Sequence, residues 1–170
     1  MPTTLISIVA GIALLAILAA MAVPSSNAVQ GDRVEETARQ LKSLLQLAQS
    51  RSMTTGVTHG VRYDPDTTAF EMITANVTAT PVVVLGLAND PISKQPARVI
   101  IPTGVSAPTG KPFLFSVVGG AFEVYFDRWG TPINRGMSIF QLTNTSIRFD
   151  YGVHQNTVVL APVTGRVVIN

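Results

Sequence analysis

Leu5–Val23 reads LISIVAGIALLAILAAMAV, an apolar run interrupted only by Ser7 and Gly11. As an α-helix rising 1.5 Å per residue it would reach about 28 Å, close to the hydrocarbon thickness of a bilayer. A buried core helix of this length would carry a polar stripe, and none is visible. The run is therefore predicted to insert into a membrane. It could do so as a cleaved secretory signal, as a permanent anchor, or as an anchor that later becomes the core of a filament. Ala20-Met21-Ala22 and Ser26-Asn27-Ala28 have the small-x-small form of signal cleavage sites. Met1-Pro2-Thr3-Thr4 has no positive charge, however, and no basic residue flanks the run to set its orientation. That omission implies a basic leader outside this sequence. Ser7 and Gly11, and Ala16 and Ala20, stand four apart, a spacing that lets helices approach closely.

Outside this run the chain is ordinary. The whole sequence has 170 residues, 46% apolar and only 13% charged, about half the usual share, and its 12 basic and 10 acidic side chains all lie from Asp32 onward. A hydrophobic leader is thus joined to a domain long enough to bury a core. The net charge of +2 gives no ground for a nucleic-acid partner. The absence of cysteine excludes disulfides, thiolate metal sites and cysteine nucleophiles.

Pro24–Gly31 is predicted to be a polar breaker. Asp32 precedes Glu35 at the spacing of a capping box. From there Val34, Ala38, Leu41, Leu45 and Ala48 step by four and three, with Leu44 and Leu47 widening the stripe, and Gly56 closes an amphipathic helix ending near Thr55. Glu35, Glu36, Arg39, Lys42 and Arg51 form its solvated face. The expected architecture is one long helix, with or without a kink, apolar in its first half and amphipathic in its second. Three parts follow: residues 1–31, apolar helix and breaker; 32–56, amphipathic helix; and 57–170, a β globular part that forms one domain with 32–56.

Strand patterns are read at Val57–Tyr63, Ala69–Thr74, Val82–Leu85, Arg98–Ile101, Phe113–Val117, Phe122–Phe126, Ser138–Leu142, Ile147–Tyr151, Thr157–Leu160 and Arg166–Ile169. Asp64–Thr68 is a turn, and the proline-rich stretch Asn76–Pro112 is expected to be an irregular excursion. Strands this short, separated by Gly, Pro and Asn, argue for one or two antiparallel sheets. The fold class is α+β, a helix covering antiparallel β-sheet.

The stretch from Thr4-Leu5-Ile6 through Ile17-Leu18-Ala19-Ala20-Met21-Ala22-Val23-Pro24 resembles the N-terminal helix of type IV pilins and type II secretion pseudopilins. In that superfamily Thr-Leu-Ile is followed by glutamate, an apolar run and a proline. Aligned on Pro24, Thr4, Leu5 and Ile6 match and Ser7 replaces the glutamate. The resemblance implies that the glutamate's carboxylate pairs with a neighbouring subunit's amine, so Ser7 offers at most a hydrogen bond there. Leu44–Met53 is similar to a helix of the GspH/FimT group of minor pilins and pseudopilins. Gly56–Val61 resembles that group's first strand, Phe126-Asp127-Arg128-Trp129-Gly130 its F-D-x-x-G turn, and Val163–Ile169 its closing strand.

What the resemblance implies is a pilin-like structural subunit that polymerises through Leu5, Ile6, Ser7, Gly11, Leu14, Leu18 and Pro24. Gly11 and Pro24 would permit local unwinding. Partners would be copies of itself or related pilins in a helical filament, with an inner-membrane assembly platform and a prepilin peptidase. The chain would cross the cytoplasmic membrane once before assembly, in contact with lipid, and then join an extracellular or periplasmic filament. Alternatives are a minor or tip-priming pilin of a secretion or DNA-uptake system, and a secreted or anchored β-domain that binds a ligand.

Enzymatic chemistry finds little support. His59 and His154 are the only histidines, without the spacing of metal ligands. Asp64-Pro65-Asp66 lacks the further positions of a calcium loop and reads as a turn. No phosphate loop, dinucleotide fingerprint or Gly-x-Ser-x-Gly is present, and no cofactor or metal is expected. Asn76-Val77-Thr78 and Asn144-Thr145-Ser146 fit a glycosylation pattern that arises readily by chance. Trp129, the only tryptophan, is expected to cap the sheet edge rather than to meet a partner.

Overall fold

The computed structural model describes residues 3–76, 79, 83–102, 105, 123–133, 145–151 and 153–170. For residues 3–8, 10, 17–30, 145 and 151 it describes the backbone alone.

The chain opens with one helix, α1, Thr3–Thr55, of 53 residues and about 80 Å. It runs on through Pro24–Gly31, so the expected breaker does not divide it, and Asp32 lies in mid-helix rather than at a cap. Proline and glycine are each costly inside a helix. Tertiary packing of residues 34–52 supplies the compensation, because Val34, Ala38, Leu41, Leu45 and Ala48 are fully buried. Gly31 has a local reason too: a Cβ there would stand 3.0 Å from Nδ1 of His154. The helix ends where the sequence says. Gly56 adopts φ +69°, and its amide bonds back to the Ser52 carbonyl at 3.0 Å.

Nine strands follow: β1 His59–Asp64, β2 Ala69–Asn76, β3 Val83–Leu87, β4 Arg98–Ile100, β5 Glu123–Phe126, β6 Pro132–Ile133, β7 Thr145–Tyr151, β8 His154–Leu160 and β9 Val167–Ile169. One sheet has the order β3-β2-β1-β5-β6 with β4 also on β2, and a second has the order β7-β8-β9. All described pairings are antiparallel, as expected. The strands expected at Phe113–Val117 and Ser138–Leu142 lie outside the described residues. The two-residue β6 has no readable sequence pattern.

Asn76–Pro112 is more regular than its prolines suggest. β3 pairs with Ile73–Asn76 and β4 with Ala69–Glu71, so the two lie end to end along one edge of β2. Met72 sits opposite the junction. Its amide donates to the Ala97 carbonyl and its carbonyl accepts from the Ala88 amide, each at 2.8 Å. Residues 89–96 project from this edge, and Arg51 ties them to α1 by donating to the Asn89 carbonyl.

The stripe of α1 packs on both sheets. Val61 stands opposite Met72 on one side and Val124 on the other, and all three join Leu41 and Leu45 in the main core. The second sheet adds Ile147, Phe149, Val158, Leu160 and Val167. Phe149 meets Phe70 edge-on at 6.0 Å between centroids. On the other face of the first sheet Ile73, Ala75, Tyr125 and Ile133 form a smaller cluster. Gly60 is required between them, since a Cβ would strike the Val124 carbonyl and come within 2.8 Å of the Tyr125 ring.

Candidate functional site

α1 carries two different surfaces. From Val34 onward its apolar stripe is buried, whereas Val9, Ile12, Leu14 and Leu15 are 59%, 63%, 62% and 68% exposed. Gly11 is in the same open stretch, with nothing within 4 Å of a Cβ added there. Of the residues expected to drive assembly, Gly11 and Leu14 are thus brought together on a helix segment that its own domain leaves uncovered. The side chains of Leu5, Ile6, Ser7, Leu18 and Pro24 lie outside the described residues. Among the described residues no helix is long and apolar enough to cross a membrane. Much of the run Leu5–Val23 falls outside that description.

Three of the four downstream motifs, Leu44–Met53, Phe126–Gly130 and Val163–Ile169, converge at the other end of α1. In the FDRWG segment, Asp127 Oδ1 accepts from the amides of Trp129 and Thr131, each at 2.8 Å, and Gly130 takes φ +79°. This is a tight loop joining β5 to β6, its glycine supplying the left-handed step that such a loop needs. The closing motif likewise forms the β8–β9 loop, where Gly165 takes φ +65°. Both loops meet Gln49 of the helix motif. Its Nε2 donates to the Gly130 carbonyl at 2.9 Å and to the Thr164 carbonyl at 3.0 Å. Any Cβ on Gly165 would run into that amide. The order of motifs in sequence therefore reflects one junction in space.

Trp129 departs from expectation. Instead of capping the sheet edge it is 73% exposed, with the Arg128 guanidinium 5.1 Å from its ring centroid. It sits in the tight loop between β5 and β6, where Asp127 holds its backbone amide and its ring stays outside the core. Gln49 as a clamp also went unread, because an isolated glutamine gives no periodic signal.

The histidines do not form a pair. The His59 backbone amide donates to Ser52 Oγ at 2.9 Å, and its ring donates through Nδ1 to the Val57 carbonyl at 2.8 Å. Burial lowers its pKa from the usual histidine value; the Val57 carbonyl opposes this, and nearby Arg51 adds to it. His154 packs at Gly31 instead, about 32 Å along the helix from Ser52.

The acidic pairs also have structural roles. Asp64 closes the β1–β2 turn by accepting from the Asp66 amide and the Thr67 hydroxyl. Glu35 and Glu36 bond Arg39 and Gln40 one turn on. Asp90 accepts from the Ile92 and Ser93 amides, and those bonds, Ser93 foremost, hold its carboxyl below the usual range. Two buried carboxylates that the sequence did not single out, Glu71 and Glu123, face Arg62 and the Tyr125 hydroxyl respectively. Among the described residues no group of three potential metal ligands occurs.

No family model matches the chain, and no curated protein does. Solved structures do. A structure of the minor pseudopilin EpsH from the type 2 secretion system of Vibrio cholerae matches with a TM-score of 0.56 and 14% identity, over 81% of this chain and 96% of that one. A second EpsH structure gives 0.53 and 14%, over 82% and 94%. This chain has the pilin fold. The likeness is one of fold, as an identity of 14% dictates. That fold agrees with the pilin and pseudopilin resemblance that the sequence motifs carry.

Proposed function

We propose that this chain is a structural subunit of a type IV pilus-like filament or a type II secretion pseudopilus, polymerising through its apolar N-terminal helix. One observation carries the reading: Val9, Ile12, Leu14 and Leu15 are exposed on a helix that continues without a break into a folded domain of the pilin type. Leaving such a surface in water is costly, by roughly 25 cal/mol for each Å² of apolar area. Lipid before assembly, and equivalent helices after it, both remove that cost. Transfer between the two is therefore nearly neutral, and close packing sets the order. The chain would be held in the cytoplasmic membrane and then pass into a periplasmic or extracellular filament. An assembly platform and a prepilin peptidase would act on it. The reading assigns it no enzymatic activity.

Within this class Ser7 favours a minor or tip-priming subunit over the main one. It lacks the charge with which, by the resemblance, an incoming subunit's amine is met, and the matched structures are of a minor pseudopilin.

Mass spectrometry on filaments sheared from the native cells tests the proposal. An abundant chain retaining Leu5–Val23 identifies a main subunit, and a sparse one retaining it a minor subunit. Recovery only as a soluble protein that begins after Ala22 or Ala28 would replace the proposal with a secreted β-domain.

A further inference from the structure

The β7–β8 hairpin ends at the pole of the domain from which α1 projects. β8 runs along the helix in the helix's own direction: its first residue, His154, packs at Gly31, and the loop after it meets Gln49 through Thr164. The turn that precedes His154 therefore lies on the Val23 side of Gly31. Strand pairing continues up to that turn, with Asp150 opposite Gln155 and Tyr151 opposite His154. The His154 ring seats against the helix where Gly31 has no Cβ, its Nδ1 3.0 Å from the position a Cβ would take. Hairpin and helix are thus fixed to each other. At the turn, Val153 is 87% exposed. Turns that face water favour Gly, Asn, Asp and Ser, and a β-branched apolar side chain gains nothing there. The nearest carboxylate and guanidinium of the hairpin, Asp150 and Arg148, bond each other at 2.8 Å, and α1 carries no charge before Asp32.

The continuous helix sets the height of this residue. Gly31 stands about 12 Å along α1 beyond Val23, where the apolar run ends. Val153 is one residue nearer, by about 3 Å. With Leu5–Val23 spanning the hydrocarbon, a headgroup layer about 5–8 Å deep lies between that run and the domain. Spanning helices lean by about 20° on average, and a lean toward the hairpin lowers a tip about 10 Å off the axis by a further 3 Å or so. Val153 then stands about 6 Å from the hydrocarbon, inside the headgroup layer. The loops at Gln49 are about 27 Å of helix farther away, so Val163 stays clear of the bilayer. We infer that the β7–β8 hairpin tip rests in the headgroup layer of the bilayer that holds α1, with Val153 as the side chain in contact with lipid and the helix leaning to that side. The contact is small, and it counts because α1 already holds the tip at the surface. The inference rests on the membrane-held stage of the proposed function and adds a second point at which lipid meets the subunit.

The chain has no cysteine, so a single introduced one can carry a probe. The full chain bearing Leu14→Cys, Val153→Cys or Val163→Cys, each labelled with the same environment-sensitive fluorophore, is inserted into phosphatidylcholine vesicles. The vesicles contain lipid spin-labelled either in the acyl chain or at the headgroup. Quenching at position 14 by the acyl-chain label reports insertion of the helix. The probe at 153 should shift to the blue and lose emission to the headgroup label, and the probe at 163 should do neither. Quenching at 14 with no more quenching at 153 than at 163 overturns the hairpin contact and leaves the membrane reading standing. Equal and strong quenching at 153 and 163 also overturns it, since the whole domain would then lie on the lipid. No quenching at 14 removes both the contact and the membrane reading on which it rests.

Discussion

Gln49 of the helix donates through Nε2 to the carbonyl of Gly130, at 2.9 Å across 81 positions of sequence. The same amide reaches Thr164, so one side chain joins the helix to a loop of each sheet. Gln49→Ala should therefore cost about 1 kcal/mol, chiefly at the part-buried Gly130 carbonyl, since water can replace the amide at the exposed Thr164 carbonyl. Denaturant unfolding measures this, and a change within about 0.5 kcal/mol would show that water replaces the amide without loss.

Gly60→Ala should destabilise far more than its single methyl suggests. The added Cβ meets the Val124 backbone, which belongs to the central β1–β5 pairing and cannot yield without moving that ladder. A loss of about 3 kcal/mol or more is expected, at the upper end of overpacking effects. Thermal unfolding of the purified domain would reveal it. Gly11→Ala, with open space around it, should by contrast leave the melting temperature of the domain unchanged.

Stability should fall as pH drops below the ordinary histidine value of 6.5, in part through His59. Its folded-state pKa is lowered, so between the folded and unfolded values the unfolded chain binds the extra proton. The contribution is complete above 6.5, declines through that window and is constant below the folded value. Carboxylates add their own dependence at lower pH. The comparison is thus between wild type and His59→Asn at pH 7.5 and 5.5, where the variant should lose less on acidification. Equal losses would remove His59 as the cause.

Leu14→Lys or Leu18→Lys should abolish incorporation into filaments, because a buried ammonium in a helix bundle has no partner to repay its desolvation. Leu14 is 62% exposed, so its replacement should leave domain unfolding within about 0.5 kcal/mol of wild type. Filament yield and domain stability, read together, separate an assembly defect from a folding defect. Normal incorporation of both variants would count against the apolar helix as the polymerising element.

The fold was legible wherever a residue pattern repeats. The leucine stripe from Val34 to Ala48 gave the packed face of α1, and Gly56 its end, because periodicity and a left-handed stop are local signals. The motif order Leu44–Met53, Phe126–Gly130 and Val163–Ile169 gave the pilin resemblance, but it could not say that the three meet at Gln49. That meeting is a matter of sheet placement. Pro24 and Gly31 misdirected the local reading for a related reason. Propensity counts each residue's own cost and misses the stabilisation supplied by residues 34–52 packing on both sheets. Trp129 was misplaced because an aromatic beside a strand is usually buried, and only the course of its loop shows the ring turned outward. The candidate assembly residues were named from resemblance, and the exposure of Val9, Ile12, Leu14 and Leu15 adds a physical reason for Gly11 and Leu14 among them.

β3 and β4 together form what is in effect one strand of the sheet, cut opposite Met72 and spliced through an external detour. Ala88 and Ala97 are hydrogen-bonded to each other as well as to Met72, so the cut ends are already abutted. Nothing in the layering of the domain depends on how many residues the chain spends between them. The detour is therefore a position where evolution can lengthen, shorten or replace a surface feature while the rest of the subunit keeps its shape.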